Sequence, residues 1–203
     1  MDQSLSRLAL AATLVAALAV PAPAATTTWQ IDPAHTAAGF SVKHMMIATV
    51  RGQFKGITGM VLWDDQDIDK SIVDVTIDAN TIDTGEPKRD ADLKSANFFD
   101  VKNYPAITFK STKIEKISAG KMKVTGNLAI HGVTKQVVLD VEGPSGAIKD
   151  PWGKTRVALN ATTTVNRMDY GVKWNANLDG GGVVVGDNVN ITIDLEMTKQ
   201  EAK

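Results

Sequence analysis

The chain has 203 residues, no cysteine and a formal net charge of −1 at pH 7. Disulfides and thiol chemistry are therefore excluded, and the scattered charges form no basic stripe of the kind that nucleic acid requires. The length is that of a single domain, which can bury a core without covalent crosslinks.

The N-terminal segment is typical of a secretory signal peptide. Arg7 precedes an apolar run, Leu8–Val20, and Pro21-Ala22-Pro23-Ala24 follows it. A short positive region, an apolar run and an Ala-x-Ala site predict cleavage after Ala24. The run is too short to favour an uncleaved membrane anchor. The sequence thus predicts a signal peptide over residues 1–24, a mature domain over residues 25–203, and a periplasmic or secreted protein.

Eight extended segments follow, most of them with apolar residues at alternate positions and separated by polar turn clusters. A short strand at Thr28–Asp32 precedes them. The segments are Thr36–Lys43, Val50–Trp63, Ile72–Ala79, Ile107–Ile114, Met122–Ile130, Val133–Val141, Arg156–Val165 and Val189–Met197. This spacing predicts an all-β fold, either an antiparallel sandwich or an up-and-down barrel.

The segment Lys121–Glu142 shows the strongest hairpin pattern. A two-residue turn at His131-Gly132 pairs Ile130 with Val133 and places the apolar residues of both strands on one face. Such turns need positive φ, which Gly adopts freely and His adopts more readily than most residues. Lys135 shares the apolar face, so it is predicted to lie at the rim beside the turn.

The connection from Ala79 to Ile107 is longer than a hairpin needs. Within it, Arg89–Phe99 is predicted to be helical, and Pro105 forces a restart. Connections of this length are usually binding loops or lids.

Small residues on the predicted inner faces leave two interpretations open. Gly39, Gly126 and Ala161 contribute little volume there. Eight strands enclose an interior that side chains just fill or that holds one small ligand. The thin lining favours a cavity; alternatively, the glycines only relieve curvature at barrel corners.

No metal or catalytic constellation stands out. His35, His44 and His131 lack the spacing of a zinc site. The acidic turn Asp65–Asp69 resembles the start of a calcium loop, but Lys70 and Thr76 replace its Gly and Glu. We therefore predict no cofactor, no metal and no catalytic group.

Two aromatic clusters admit both a structural and a functional interpretation. In Asn166–Gly171, which Trp174 follows, Arg167 either plugs the barrel end by bonding turn carbonyls or, with Tyr170, meets the polar end of a ligand. Phe98-Phe99 either anchors the helix on the barrel or contacts a ligand from a lid.

A series of motifs across the predicted mature chain resembles the YceI-like family of exported lipid-binding proteins. Each motif alone is weak, but their order and spacing together are specific. The motifs are Trp29-x-Ile31-Asp32-x-x-His35-Thr36, Phe40-x-Val42-x-His44-Met45, Gly52-x-Phe54-x-Gly56, Thr81-Ile82-x-Thr84-Gly85, Arg89-Asp90-x-x-Leu93, Phe98-Phe99-Asp100, Tyr104-Pro105, Phe109, Gly126-x-Leu128, His131-Gly132-Val133-Thr134, Asn166-Arg167-x-x-Tyr170-Gly171 and Val185-Gly186-Asp187.

The resemblance implies an eight-stranded antiparallel, lipocalin-like barrel with a long apolar channel. It also implies binding of polyisoprenoids or other long-chain amphiphiles such as quinones and fatty amides. Two positions depart from the family pattern: Asp92 stands where His is usual, and Thr36 where Ser is common. The first departure leaves the preferred lipid head group open.

From these observations we predict a non-catalytic protein that binds, stores or transports a polyisoprenoid, quinone-like or fatty-amide lipid. Transient contact with a membrane surface is expected during exchange, and a homodimer formed through loops is compatible with the sequence. Two alternatives are a lipid-modifying enzyme that uses His44 or His131, and a partner-binding module with a filled core. The predicted ligand-binding residues are Phe40, His44, Phe54, Phe98, Phe99, Phe109, Leu128, Ile130, Arg167, Tyr170 and Trp174.

Overall fold

The computed structural model describes residues 26–201; the predicted signal peptide, residues 1–24, lies outside them. The described residues form eleven strands, one α-helix and three 3-10 helices. The strands are β1 Thr27–Ile31, β2 Ala37–His44, β3 Ala48–Phe54, β4 Ile57–Trp63, β5 Ile72–Asp78, β6 Ala106–Ser118, β7 Lys121–Ile130, β8 Val133–Glu142, β9 Ile148–Lys149, β10 Thr155–Asn166 and β11 Val185–Lys199. The helix α1 spans Pro87–Lys94, and the 3-10 helices span Ile68–Lys70, Ala79–Thr81 and Arg167–Tyr170. None of these helices is long and apolar enough to cross a membrane.

The strands close into an eight-stranded antiparallel barrel. We call each of its eight wall positions a stave, because some positions are occupied by two consecutive strands. Both β1 and β2 pair with β11, through Ile31 opposite Met197 and Ala37 opposite Asp194, so they form one stave bent at residues 32–36. In the same way β3 pairs with β2, and β4 pairs with β1. The other staves are β5, β6, β7, β8, β10 and β11, with β9 a short addition to β10. The predicted eight-stranded barrel is confirmed, and the sandwich is excluded.

The hairpin of β7 and β8 has the predicted register. Ile130 lies opposite Val133, and the turn residues His131 and Gly132 have φ of 50° and 76°. Lys135 lies opposite Leu128, and its Nζ is 3.8 Å from the carboxylate of Asp169. Lys135 therefore reaches out of the barrel at the rim, as its position beside the turn predicts.

The helix in the long connection differs from its predicted span, Arg89–Phe99. It begins earlier, at Pro87, because proline suits the first helical position and the Glu86 side chain accepts a hydrogen bond from the Lys88 N–H. It ends at Lys94, where the Ser95 N–H bonds the Asp92 carbonyl. The chain then turns back, and the Phe99 N–H donates to the Leu93 carbonyl at 2.9 Å.

The barrel has two distinct ends. The lid end carries α1 with the rest of residues 79–105, the β2–β3 and β7–β8 turns, and residues 167–184. The opposite, basal end carries the β4–β5, β6–β7 and β8–β10 connections, the start of β1 and the end of β11. Going round the barrel, the β4–β5 and β8–β10 connections lie on opposite sides of the basal end.

Candidate functional site

A cavity of about 450 Å³ runs through the barrel. Its lining includes Trp63 and Lys199 at the basal end and Phe98 and Tyr170 at the lid end. Because lining residues come from both ends, the cavity extends over the height of the barrel. Its volume lies within the range of small-molecule sites, about 300–1,000 Å³.

Alternation along the strands makes the wall apolar. In β10 and β11 the residues of one face pair directly across the two strands, from Val157 opposite Met197 to Val165 opposite Val189. All of them line the cavity: Val157, Leu159, Ala161, Thr163, Val165, Val189, Ile191, Ile193, Leu195 and Met197. Several inward residues, such as Ile191 and Ile193, are only half-buried because they border empty space. The interior is therefore not filled by side chains.

At two inner positions the structure gives a more specific reason for glycine than either interpretation of the sequence does. A Cβ at Gly126 would overlap the Phe109 ring and lie 2.6 Å from the Lys110 carbonyl oxygen. A Cβ at Gly52 would lie 2.5 Å from Cζ of Phe40. These glycines let phenylalanine rings lie flat on the barrel wall.

Aromatic contacts tie residues 79–105, which we call the lid, to the barrel. The Phe54 ring lies 5.7 Å from Phe40 and 5.5 Å from Phe99, the latter edge-to-face. Phe98 is buried and lies 5.4 Å from the Trp174 ring. Both Phe98 and Phe99 also line the cavity. They thus anchor the lid and face the ligand space at once, so the two interpretations of this pair are compatible.

Arg167 closes the lid end of the cavity. Its guanidinium donates to the carbonyls of Val172, Trp174, Val185 and Gly186 at 2.7, 2.9, 3.1 and 2.9 Å. Burial lowers the pKa of Arg167. This geometry matches the interpretation of Arg167 as a plug that bonds turn carbonyls, since most of its donors are already engaged.

Tyr170 lies beside this plug, lines the cavity and is 2% exposed. Burial, with a smaller effect of the nearby Asp169 carboxylate, raises the pKa of its phenol. Tyr170 therefore contributes a largely apolar, buried side chain to the lid end of the cavity.

The cavity meets solvent at the basal end. There the lining residues Asp65, Ser145 and Lys199 are exposed. At the lid end the lining residues Phe98 and Val172 are buried, like Arg167 and Tyr170. A ligand would therefore enter from the basal end unless the lid opens.

Nine of the eleven predicted ligand-binding residues line the cavity, and two do not. The nine are Phe40, Phe54, Phe98, Phe99, Phe109, Leu128, Ile130, Arg167 and Tyr170. His44 ends β2, one step beyond the cavity-lining Val42 on the same strand face. Trp174 was predicted to bind the ligand; it lies against Phe98 and is 39% exposed.

The basal lining was missed from the sequence. Asp65 was considered only in the comparison with a calcium loop, and Trp63 only as the end of an extended segment, yet both line the cavity. Trp63 shares the strand face of the inward Val61, so extending the alternation by one step would have found it.

Two polar residues that the sequence analysis singled out, His131 and Asp92, make structural contacts. His131 stacks on Tyr104, with ring centres 4.5 Å apart. Asp92, the departure from the family pattern, is exposed and accepts a hydrogen bond from the Asn97 amide at 2.9 Å. It closes the turn after α1 and does not line the cavity.

One acidic cluster outside the cavity, Asp32, His35 and Glu196, has the spacing of metal ligands. The Arg156 guanidinium, however, bonds both carboxylates, at 2.6 Å from Asp32. This contact lowers the pKa of Asp32 to about 2. The arginine already supplies the positive charge that a metal ion would bring.

Comparison with known proteins agrees with the geometry. A model of the YceI-like domain matches residues 29–197. A UPF0312 protein from Vibrio parahaemolyticus is 35% identical over 161 residues, which cover 78% of this chain and 85% of the relative. A solved YceI protein from Campylobacter jejuni is 32% identical, covers 78% of this chain and 90% of its own, and has a TM-score of 0.65.

A solved domain from Saccharophagus degradans shares the fold at 16% identity and a TM-score of 0.61, covering 85% of this chain and 98% of its own; it is described as a polyisoprenoid-binding domain. At that identity only the fold is compared. The match over residues 29–197 and the relatives above 30% identity decide the assignment: this chain belongs to the YceI-like family.

Proposed function

We propose that this protein binds a polyisoprenoid, or a similar long-chain amphiphile such as a quinone or fatty amide, and stores or carries it without catalysis. The observation that carries the proposal is the apolar cavity that runs from the exposed basal end to the plug at Arg167. The predicted signal peptide supports a periplasmic or secreted location.

The shape of the cavity favours an extended ligand. The twelve residues of β10 span about 40 Å at about 3.4 Å per residue, and a strand tilt of about 40° gives a barrel height of about 30 Å. A volume of about 450 Å³ spread over that height leaves a narrow channel. A single long chain fits such a channel better than a compact molecule does.

The energetics explain how such a ligand would be exchanged. Moving a methylene from water into an apolar site contributes about 0.8 kcal/mol, so the protein would hold a long chain tightly against loss to water. A bilayer offers the same chain an equally apolar environment. Exchange with a membrane would therefore depend on fit, on the polar ends of the channel and on access.

Neither alternative finds support in the described residues. His44 and His131, the candidate catalytic histidines, do not line the cavity. A filled core does not match an interior of about 450 Å³ of empty space. The description of the Saccharophagus degradans domain as polyisoprenoid-binding supports the same ligand class here.

A cavity-blocking substitution tests the proposal. Ile193 points into the cavity and lies between two small inward residues, Ala38 and Ala161. Ile193→Trp should therefore fill the channel without a clash at these neighbours. Thr192→Trp, on the outer face of the same strand, adds the same side chain outside the barrel and is the matched control.

Protein purified from its own host would be examined by native mass spectrometry and solvent extraction. We expect a long-chain lipid on the wild type and on Thr192→Trp, and little or none on Ile193→Trp. Circular dichroism would verify that the three proteins fold alike. An empty wild type that also fails to take up added polyisoprenoid, or undiminished lipid on Ile193→Trp, would overturn the proposal.

A further inference from the structure

The basal rim carries an exposed apolar pair on a short hairpin. Ile148 is 64% exposed, and Trp152, four residues later, is 81% exposed. Both lie in residues 148–154, which comprise β9 and the turn that leads to the start of β10. We call this segment the rim hairpin. An indole this exposed contributes almost nothing to the packing of the barrel.

Hydrogen bonds to the Asp150 carboxylate hold the backbone of the rim hairpin in place. The Asp150 carboxylate accepts hydrogen bonds from the N–H groups of Trp152 and Lys154 at 3.0 and 2.8 Å, and from Nε of Arg156 at 2.6 Å. Arg156 in turn bonds Glu196 on the neighbouring strand β11 and Asp32 in the bend between β1 and β2. The fold therefore fixes the backbone of the turn without using the Trp152 side chain and displays that side chain to the outside.

Two lysines flank the displayed indole in the chain, and two more lie at the basal end. Lys149 and Lys154 flank Trp152 in the chain, and Lys116 and Lys199 lie at the same end of the barrel. None of these four lysines forms a salt bridge with any residue in the range 26–201, whereas Lys121 and Lys123 of β7 are paired. The acidic β4–β5 turn lies on the opposite side of the basal end. The rim hairpin thus combines exposed apolar side chains with unpaired lysines, beside the ion-paired cluster of Arg156 with Asp32, Asp150 and Glu196.

The rim hairpin also adjoins the opening of the cavity. The residues just before it, Pro144, Ser145 and Ala147, line the cavity and are exposed. We propose that the rim hairpin, through Trp152, Ile148, Lys149 and Lys154, docks the basal end of the barrel onto an anionic phospholipid bilayer. A lipid could then pass between bilayer and cavity without crossing water. This inference rests on the proposed lipid-binding function.

The chemistry fits a bilayer better than a protein partner. Tryptophan concentrates at membrane interfaces because its ring is apolar and its N–H is polar. Lysine side chains lay their stems on apolar surface and keep their charge at the head groups. A stable protein partner needs about 800 Å² on each side, far more than one seven-residue hairpin offers.

Vesicle co-sedimentation tests the docking. The probe is vesicles of phosphatidylglycerol and phosphatidylethanolamine in equal parts, with phosphatidylcholine vesicles for comparison. Each lysine near an anionic surface contributes about fivefold to binding, so Lys149→Gln with Lys154→Gln should weaken binding about 30-fold. Trp152→Ser should weaken it at least about tenfold, and wild-type binding should fall with added salt.

Ile47→Ser is the matched control, because Ile47 is 85% exposed at the lid end. It should bind vesicles like the wild type. Equal sedimentation of wild type and Trp152→Ser, or an equal loss with Ile47→Ser, would overturn the assignment of the rim hairpin. Capture of Trp152 by a second copy of the chain, seen as a dimer that Trp152→Ser dissolves, would overturn it as well.

The cavity provides a separate readout. Lipid content by native mass spectrometry should be the same in the wild type and Trp152→Ser when both are loaded with polyisoprenoid in detergent. If this lipid is bound but vesicle docking does not depend on Trp152, the docking inference fails and the proposed function stands. If docking depends on Trp152 but the cavity takes up no lipid, the proposed function fails.

Discussion

Replacing Arg167 by methionine is expected to destabilise the barrel strongly at the lid end. Methionine keeps most of the length of the side chain but removes every donor. The carbonyls of Val172, Trp174, Val185 and Gly186 would each lose a hydrogen bond to a charged group. Arg167 is 6% exposed, so water replaces these bonds poorly.

The magnitude follows from those four bonds. A hydrogen bond to a charged group contributes about 1.5–3 kcal/mol, and breaking a buried charged contact by removing one partner typically costs about 3–5 kcal/mol. We expect a loss of about 4 kcal/mol in the free energy of unfolding. Arg167→Lys should lose about half as much, since one ammonium group cannot reach carbonyls on both flanking segments.

Urea unfolding followed by circular dichroism would measure the loss, with Arg51→Met as the control. Arg51 lies exposed on β3, so its replacement should change stability by less than about 0.5 kcal/mol. A loss below about 1 kcal/mol for Arg167→Met would refute the plug. A full loss of bound lipid with unchanged stability would instead assign Arg167 to the ligand.

Three further predictions concern other parts of the molecule. The folded pKa of Asp32 is about 2 against an ordinary 3.8, so the ionised carboxylate stabilises the fold above about pH 4 and this stabilisation is lost as pH falls toward 2. Arg156→Met should therefore make the free energy of unfolding depend less on pH over this range, which acid titration of stability would show. Gly126→Ala should cost about 1–3 kcal/mol in thermal unfolding, because its Cβ would overlap the Phe109 ring. Phe98→Ala should cost about 3 kcal/mol and speed amide exchange over residues 79–105, as measured by mass spectrometry.

Each of the three has its own contrary result. If Arg156→Met leaves the acid transition unchanged, Asp32 does not contribute to the pH dependence of stability. Gly146→Ala places its Cβ in open space and should leave the stability nearly unchanged. An equal loss of stability in that variant would show that the Gly126 effect does not come from the contact with the Phe109 ring. Unchanged exchange over residues 79–105 in Phe98→Ala would show that Phe98 does not hold the lid.

The strands and their faces were predictable because they depend on local chemistry. Extended segments between polar turns, most of them alternating with period two, matched the eight staves of the barrel, and the turn at His131-Gly132 fixed the register of its hairpin through positive φ. The same alternation placed Phe40, Phe54, Phe109, Leu128 and Ile130 on the cavity wall. These inferences need only the neighbours of each residue along one strand.

Inferences that depend on neighbours from distant parts of the chain were less complete. The sequence left Arg167 between a plug and a ligand contact, because its carbonyl partners come from residues 172–186 folding back over the end of β10. The helix was drawn too long because the turn after Ser95 serves the docking of Phe98 and Phe99 onto the barrel. Trp174 was counted among the ligand-binding residues, although its ring packs against Phe98.

Side-chain alternation and turn chemistry are properties of short segments, and they were sufficient to predict an antiparallel β-fold with an apolar face on most strands. Contacts between distant segments were needed to show that those faces surround empty space, that Arg167 plugs the lid end and that the basal end opens beside the rim hairpin. The physical reason is that interior volume depends on how many staves close, how they tilt and which rings lie flat on the wall. Those quantities are set by contacts between residues far apart in the chain.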